Sequence, residues 1–129
     1  CAGALVPYKR IDVAIEAFRS LGLPLWVVGG GPEEGRLRAA APPNVKVLGR
    51  VSEAFLWECY SRCEALVFPG IEDFGIVPVE CMASGRPIIA VDAGGIRESV
   101  GDARGFGNSD LVQQNNYGVF LCGMGALRP

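Results

Sequence analysis

The sequence predicts an α/β fold, a Rossmann-like doubly wound parallel sheet, on three observations. Short apolar runs alternate with helix-length segments along most of the chain, the order that gives a parallel sheet through crossover connections. The apolar runs are continuous rather than alternating, as strands covered on both faces are. Breaks rich in glycine and proline follow those runs, at 29–32, 49, 69–70 and 94–95. That is where a doubly wound sheet places its ligand loops.

Ala2–Val6 reads as the first strand. Lys9–Leu21 reads as a helix, because Ile11, Ile15, Phe18 and Leu21 fall at helical spacing. Leu25–Val28 is the second strand, closed by Gly29-Gly30-Gly31-Pro32, whose glycines suit a tight turn. Glu33–Ala40 is a helix with Pro32 and acidic residues at its start. Val45–Leu48 is the third strand, and Ser52–Arg62 a helix with Ser52 as its N-cap. Ala65–Phe68 is the fourth strand, Pro69–Ile76 a loop and Pro78–Ser84 a helix. Ile88–Val91 is the fifth strand, and Ile96–Val100 a short helical piece after Gly94-Gly95. Gly101–Asn116 is polar and without period, and Val119–Cys122 reads as a last strand. Residues 1–129 read as one domain with no internal repeat or linker.

Half of the 129 residues are hydrophobic, enough for a real core. A net charge of −2 without clustered basic residues excludes a nucleic-acid footprint. No apolar run has the length of a membrane span, and no signal peptide is visible. The first residue is Cys1 and a strand-like run follows at once, so the chain is expected to begin inside a larger gene product. The five cysteines are odd in number and sit in apolar surroundings, with Cys59 and Cys63 on one helix face. The chain has no histidine, so a zinc site lacks ligands and a Ser/His or Cys/His unit is excluded. Free thiols in a reducing cytoplasm are the reading, with no metal site. Trp26 and Trp57 lie in apolar patterns and read as core.

Pro69–Glu80 carries the chemistry. It follows a strand and opens a helix, with Glu72 in the loop and Glu80 about one turn inside. Backbone amides from Gly75 to Val77 are left without helical partners, a site for a diphosphate. A loop carboxylate accepts hydrogen bonds from sugar hydroxyls, and one a turn down the helix reaches a ribose diol. Spacing alone decides nothing: Glu64 and Glu72 are also eight apart, but Glu64 precedes a strand. Read from the residues alone, a solvated loop acid and a helix-start acid favoured by the dipole remain an equal alternative.

The segment Glu72-Asp73-Phe74-Gly75-Ile76-Val77-Pro78-Val79-Glu80 resembles the two-glutamate motif of retaining GT-B glycosyltransferases of the "group 1" type. Met82-Ala83-Ser84-Gly85-Arg86-Pro87 resembles its usual continuation. The stretch Gly3–Asp12, the Gly29–Glu34 turn, Leu48-Gly49-Arg50-Val51-Ser52 and Gly94-Gly95 match in order and spacing. The wording around Val6–Asp12 and Glu72–Pro78 is nearest to mannosyltransferases of O-antigen and exopolysaccharide synthesis. The resemblance covers residues 2 to about 100; 101–129 diverge, and the closing helices of the family are not found.

What the resemblance implies is a single GT-B half-domain that binds a nucleotide-sugar donor, GDP-mannose by its wording. Glu72 would contact the donor hexose and Glu80 the ribose. Amides of Phe74, Gly75, Ile76 and Val77 would face sugar and diphosphate, and Gly49, Arg50 and Val51 would border the base. Lys9 would neutralise the diphosphate as charge builds on the leaving group. Many relatives carry an arginine where Ala4 stands, so either Arg10 compensates or the site is weaker. The family uses no cofactor beyond the donor substrate. Its amino-terminal acceptor domain is absent here, so catalysis by this chain alone is not expected. The implied partners are the nucleotide-sugar, that acceptor domain, a membrane surface for the full enzyme, and further copies through uncovered apolar surface. The competing readings are a free-standing nucleotide-binding or regulatory module of the same fold, and a related GT-B enzyme such as a sugar-nucleotide epimerase.

Overall fold

The computed structural model of the chain describes residues 1–91, 93–96 and 98, and the backbone of 117–120. A 3-10 turn, Pro7–Lys9, precedes α1 (Ile11–Leu21) and β1 (Leu25–Val28). Then follow α2 (Glu34–Ala40), β2 (Val45–Gly49), α3 (Glu53–Arg62), β3 (Leu66–Phe68), α4 (Ile76–Ala83), β4 (Ile88–Val91) and β5 (Tyr117–Phe120). The expected alternation is present, and β1 pairs with β2, and β3 with β4, in parallel.

Helices cover both faces. Successive strand residues point to opposite sides, and the two sides feed separate cores. Leu25 and Val27 pack with Ile11, Ala14 and Ile15 of α1 and Leu37 of α2. Val28, Leu66, Phe68, Ile88 and Ala90 pack with Tyr60 of α3 and Cys81 of α4. Helices on both faces are what the sequence predicts, but the strands form two sheets, β1–β2 and β3–β4–β5, rather than one continuous sheet. Leu5, Val27 and Ile88 are fully buried, and each contributes about 1.5–3 kcal/mol. That outweighs an exposed ion pair such as Arg62–Glu58, worth roughly 0–1 kcal/mol.

Several boundaries differ from expectation. Residues 2–6 form no strand, only an isolated bridge from Ala2 to Val28. Gly3 N–H donates to the Val28 carbonyl and Leu5 N–H to that of Gly30, both at 3.0 Å. The ladder stops because Gly3 takes φ 135°, Val6 N–H turns back to the Ala4 carbonyl at 3.1 Å, and Pro7 has no N–H. The helix expected over Lys9–Leu21 begins at Ile11, because Arg10 is left-handed (φ 52°, ψ 37°). The helix expected from Pro78 begins at Ile76; Pro78 is its third residue, where a missing N–H costs no helical bond.

The last strand is Tyr117–Phe120 and runs antiparallel to β4, not parallel as the sequence predicts. Trp26 and Trp57 are not core: they are 46% and 40% exposed, and Trp26 stacks on Phe55 with centroids 6.2 Å apart. Trp26 points to the α3 side of β1, against Phe55 of that helix. Cys1, Cys59, Cys63 and Cys81 are free thiols. Burial, chiefly, and the neighbouring Cys63 push the Cys81 thiol up to about 12. Ile96 and Glu98 are helical; the rest of the expected piece Ile96–Val100, the stretch 101–116 and Cys122 lie outside the described residues. Among the described residues no helix is long and apolar enough to cross a membrane, and no group of three acidic or thiol side chains is set to hold a metal ion.

Candidate functional site

Three loops converge beyond the carboxyl ends of β3 and β4, and glycines let them touch. A Cβ on Gly70 would stand 2.7 Å from the Lys9 Cα, so only glycine admits the Lys9 segment against the loop after β3. On the other flank, Cβ atoms on Gly94 and Gly95 would stand 2.6 and 1.8 Å from the carbonyl oxygens of Glu72 and Asp73. Gly95 N–H donates to the Glu72 carbonyl at 2.7 Å. The Glu72 loop is thus clamped between Lys9 and the Gly94-Gly95 turn.

Inside that clamp Lys9 and Glu72 form an ion pair, with side chains 12% and 17% exposed. The Lys9 ammonium also lies 5.7 Å from the ring centroids of Tyr8 and Phe68, close enough for cation–π attraction. Burial pushes the Lys9 ammonium below the ordinary lysine value, while the carboxylate against it favours the charged form. Arg10 does not join them: its guanidinium goes to Asp12 at 3.3 Å, both side chains being exposed. The left-handed turn at Arg10 sends Lys9 toward the loop and Arg10 toward α1.

Gly75 is the N-cap of α4 in the left-handed region (φ 71°, ψ 77°), and no side chain caps the helix. The Ile76 and Val77 amides are therefore donors without helical acceptors, and Pro78 removes the third. Tyr8, Ile71, Glu72, Asp73 and Phe74 line an open cleft in front of this helix start. Glu80 is the fifth residue of α4. Its Oε2 accepts a hydrogen bond from the Tyr60 hydroxyl at 3.1 Å.

Gly49, Arg50 and Val51 belong to a second group, at the ends of β1 and β2. Gly49 is left-handed (φ 75°), and its carbonyl accepts from Gly29 N–H at 2.8 Å. Arg50 lies across Gly30, where a Cβ would meet its Cγ and Nε at 2.8 Å. Val51 packs against the α3–α4 core. The glycines at 29–31 serve close approach as much as turning: a Cβ on Gly29 would stand 1.8 Å from the Gly3 carbonyl oxygen. Tyr60 escaped the sequence reading. The signal was a tyrosine at (i, i+4) from Leu56 on a core-facing helix, whose hydroxyl must find a partner once buried.

Chemically, the first group offers a cation and two helix-start amides for an anion, a carboxylate at the cleft for hydroxyl groups, and a second carboxylate further along the helix. Residues 1–118 match the family profile "Glycosyl transferases group 1". The chain is similar to the GDP-mannose-dependent alpha-mannosyltransferase of Mycolicibacterium smegmatis, 38% identical over 79% of this chain and 27% of that protein. It is similar to O-antigen chain mannosyltransferase C of Escherichia coli, 31% identical over 71% of this chain and 27% of that one. An uncharacterized glycosyltransferase of Methanocaldococcus jannaschii is 34% identical over 88% of this chain and 33% of its own length. The chain thus spans about a quarter to a third of the curated relatives it matches. Among solved structures, Anabaena HepE in complex with UDP-glucose superposes with a TM-score of 0.68 at 24% identity, over 82% of this chain and 33% of that one. A Staphylococcus aureus TarM mutant in complex with fondaparinux, alpha-GlcNAc-glycerol and UDP gives 0.68 at 23% identity, over 80% and 23%.

Proposed function

Because the chain belongs to the group 1 glycosyltransferases, we propose that it is the donor-binding part of a retaining hexosyltransferase that takes a nucleoside-diphosphate hexose, GDP-mannose in preference. The observation that carries this reading is the Lys9–Glu72 pair set beside the uncapped start of α4, with Glu80 one turn further in. GDP-mannose is favoured by the names of relatives at 31–38% identity. The UDP complexes, at 23–24% identity, speak only to the fold.

In this reading the diphosphate lies against the Ile76 and Val77 amides, and Lys9 leaves Glu72 to neutralise it. Negative charge grows on the nucleotide as the glycosidic bond to phosphate breaks, and a desolvated ammonium stabilises that charge more than water does. No metal ion takes part. Glu72, released from Lys9, accepts hydrogen bonds from hexose hydroxyls, while Glu80 holds the ribose diol and the Gly49–Val51 loop borders the base. Residues for the acceptor come from a second Rossmann-like domain. The share of the relatives that this chain spans supports that division.

The test is calorimetric titration with GDP, GDP-mannose, UDP and UDP-glucose. GDP and GDP-mannose are expected to bind in preference. Glu80→Ala should weaken both by about 1–3 kcal/mol, the worth of hydrogen bonds to a charged group. Glu72→Ala should weaken GDP-mannose but leave GDP unchanged or tighter, since it frees Lys9. Equal effects of the two changes on both ligands would overturn the division of roles.

A further inference from the structure

Tyr60 has no part in the roles above, yet it touches one of their carboxylates. It sits in the last turn of α3, 2% exposed. A hydroxyl so buried needs a partner within the protein, and it has one: it donates to Glu80 Oε2 at 3.1 Å. The ring is held edge-on to Trp57, 5.7 Å between centroids and 80° between planes. The Tyr60 carbonyl accepts the Cys63 thiol at 3.4 Å. The phenol is therefore fixed by α3 and the core, whereas Glu80 rides on α4. The bond crosses from one helix to the other.

A carboxylate has about four acceptor positions, and Tyr60 occupies one on Oε2. Glu80 is only partly buried, so without this bond its side chain would sample several rotamers and lose entropy on binding. Burial, and then the bond to Glu80, raise the Tyr60 hydroxyl well above the ordinary tyrosine value. It stays a donor throughout the physiological range and never sets a phenolate against the carboxylate. We propose that Tyr60 is a positioning residue that holds one oxygen of Glu80 so that the other faces the ribose diol of the donor. This rests on the reading of Glu80 as the ribose ligand.

Tyr60→Phe keeps the ring and removes the donor. The experiment titrates the full chain and its Tyr60→Phe, Glu80→Ala and double variants with GDP and with 2′,3′-dideoxy-GDP. Tyr60→Phe is expected to weaken GDP roughly three- to tenfold, to leave the dideoxy nucleotide unchanged, and to add nothing in the Glu80→Ala background. Equal loss on both nucleotides marks Tyr60 as merely structural and overturns the proposal, as does no loss on either. In both cases a wild-type preference for GDP over its dideoxy form leaves the Glu80 reading standing. A wild-type chain that binds the two alike, or neither, overturns that reading and this proposal with it.

Discussion

At Gly95 the site depends on an atom that is missing. A Cβ there would lie 1.8 Å from the Asp73 carbonyl oxygen, far inside van der Waals contact, and the obstacle is backbone with little room to yield. Gly95→Ala must displace the Glu72 loop, at a cost of about 1–3 kcal/mol by the usual penalty of overpacking. Urea denaturation should show that loss, and titration should show GDP-mannose affinity falling with it. The residue scale is also where the sequence was least complete. Gly94-Gly95 was legible as a motif, but not the contact that requires it. Lys9 and Glu72 were each singled out in the sequence, one as a cation and one as a carboxylate. Their pairing was not, because it joins segments that only the tertiary fold brings together. The partner of Tyr60 was illegible for the same reason, lying on another helix.

Two helices of similar length begin differently. α3 is closed by Ser52, whose Oγ accepts from Phe55 N–H at 3.2 Å; α4 starts at a glycine with no side-chain cap. The first is capped within the chain, and the second has no side-chain cap, as the proposed diphosphate site requires. Ser52→Ala should therefore cost about 1 kcal/mol in denaturant unfolding, while the dissociation constant for GDP stays unchanged. Strands and helices with simple periodicity, β1 to β4 and α2 to α4, were legible to within two residues. The start of α1 came two residues later than expected, since a left-handed arginine has no pattern of its own and the 3-10 turn before it looks helical in sequence. Residues 2–6 misled because their apolar run reports burial, and burial does not require a regular ladder.

For the molecule as a whole, ligand binding and stability are linked. GDP at a hundred times its dissociation constant should add about 2.7 kcal/mol to the folded state. Calorimetric melting should show the rise, and it should persist in excess chelator if Lys9 and the α4 amides alone hold the phosphates. Fold class and the doubly wound layering were legible at this scale, because continuous apolar strands admit few other architectures. The direction of β5 was not, since antiparallel and parallel edge strands share one composition. That direction has a consequence for how such a molecule varies between species. Val91 pairs with Tyr117, so β4 ends and β5 begins at the same end of the sheet, the end from which the Glu72 loop also leaves β3. Doubling the length of a flexible connection between two such points costs only about 0.6 kcal/mol in closure entropy. A connection between those two points can therefore lengthen at almost no expense to folding.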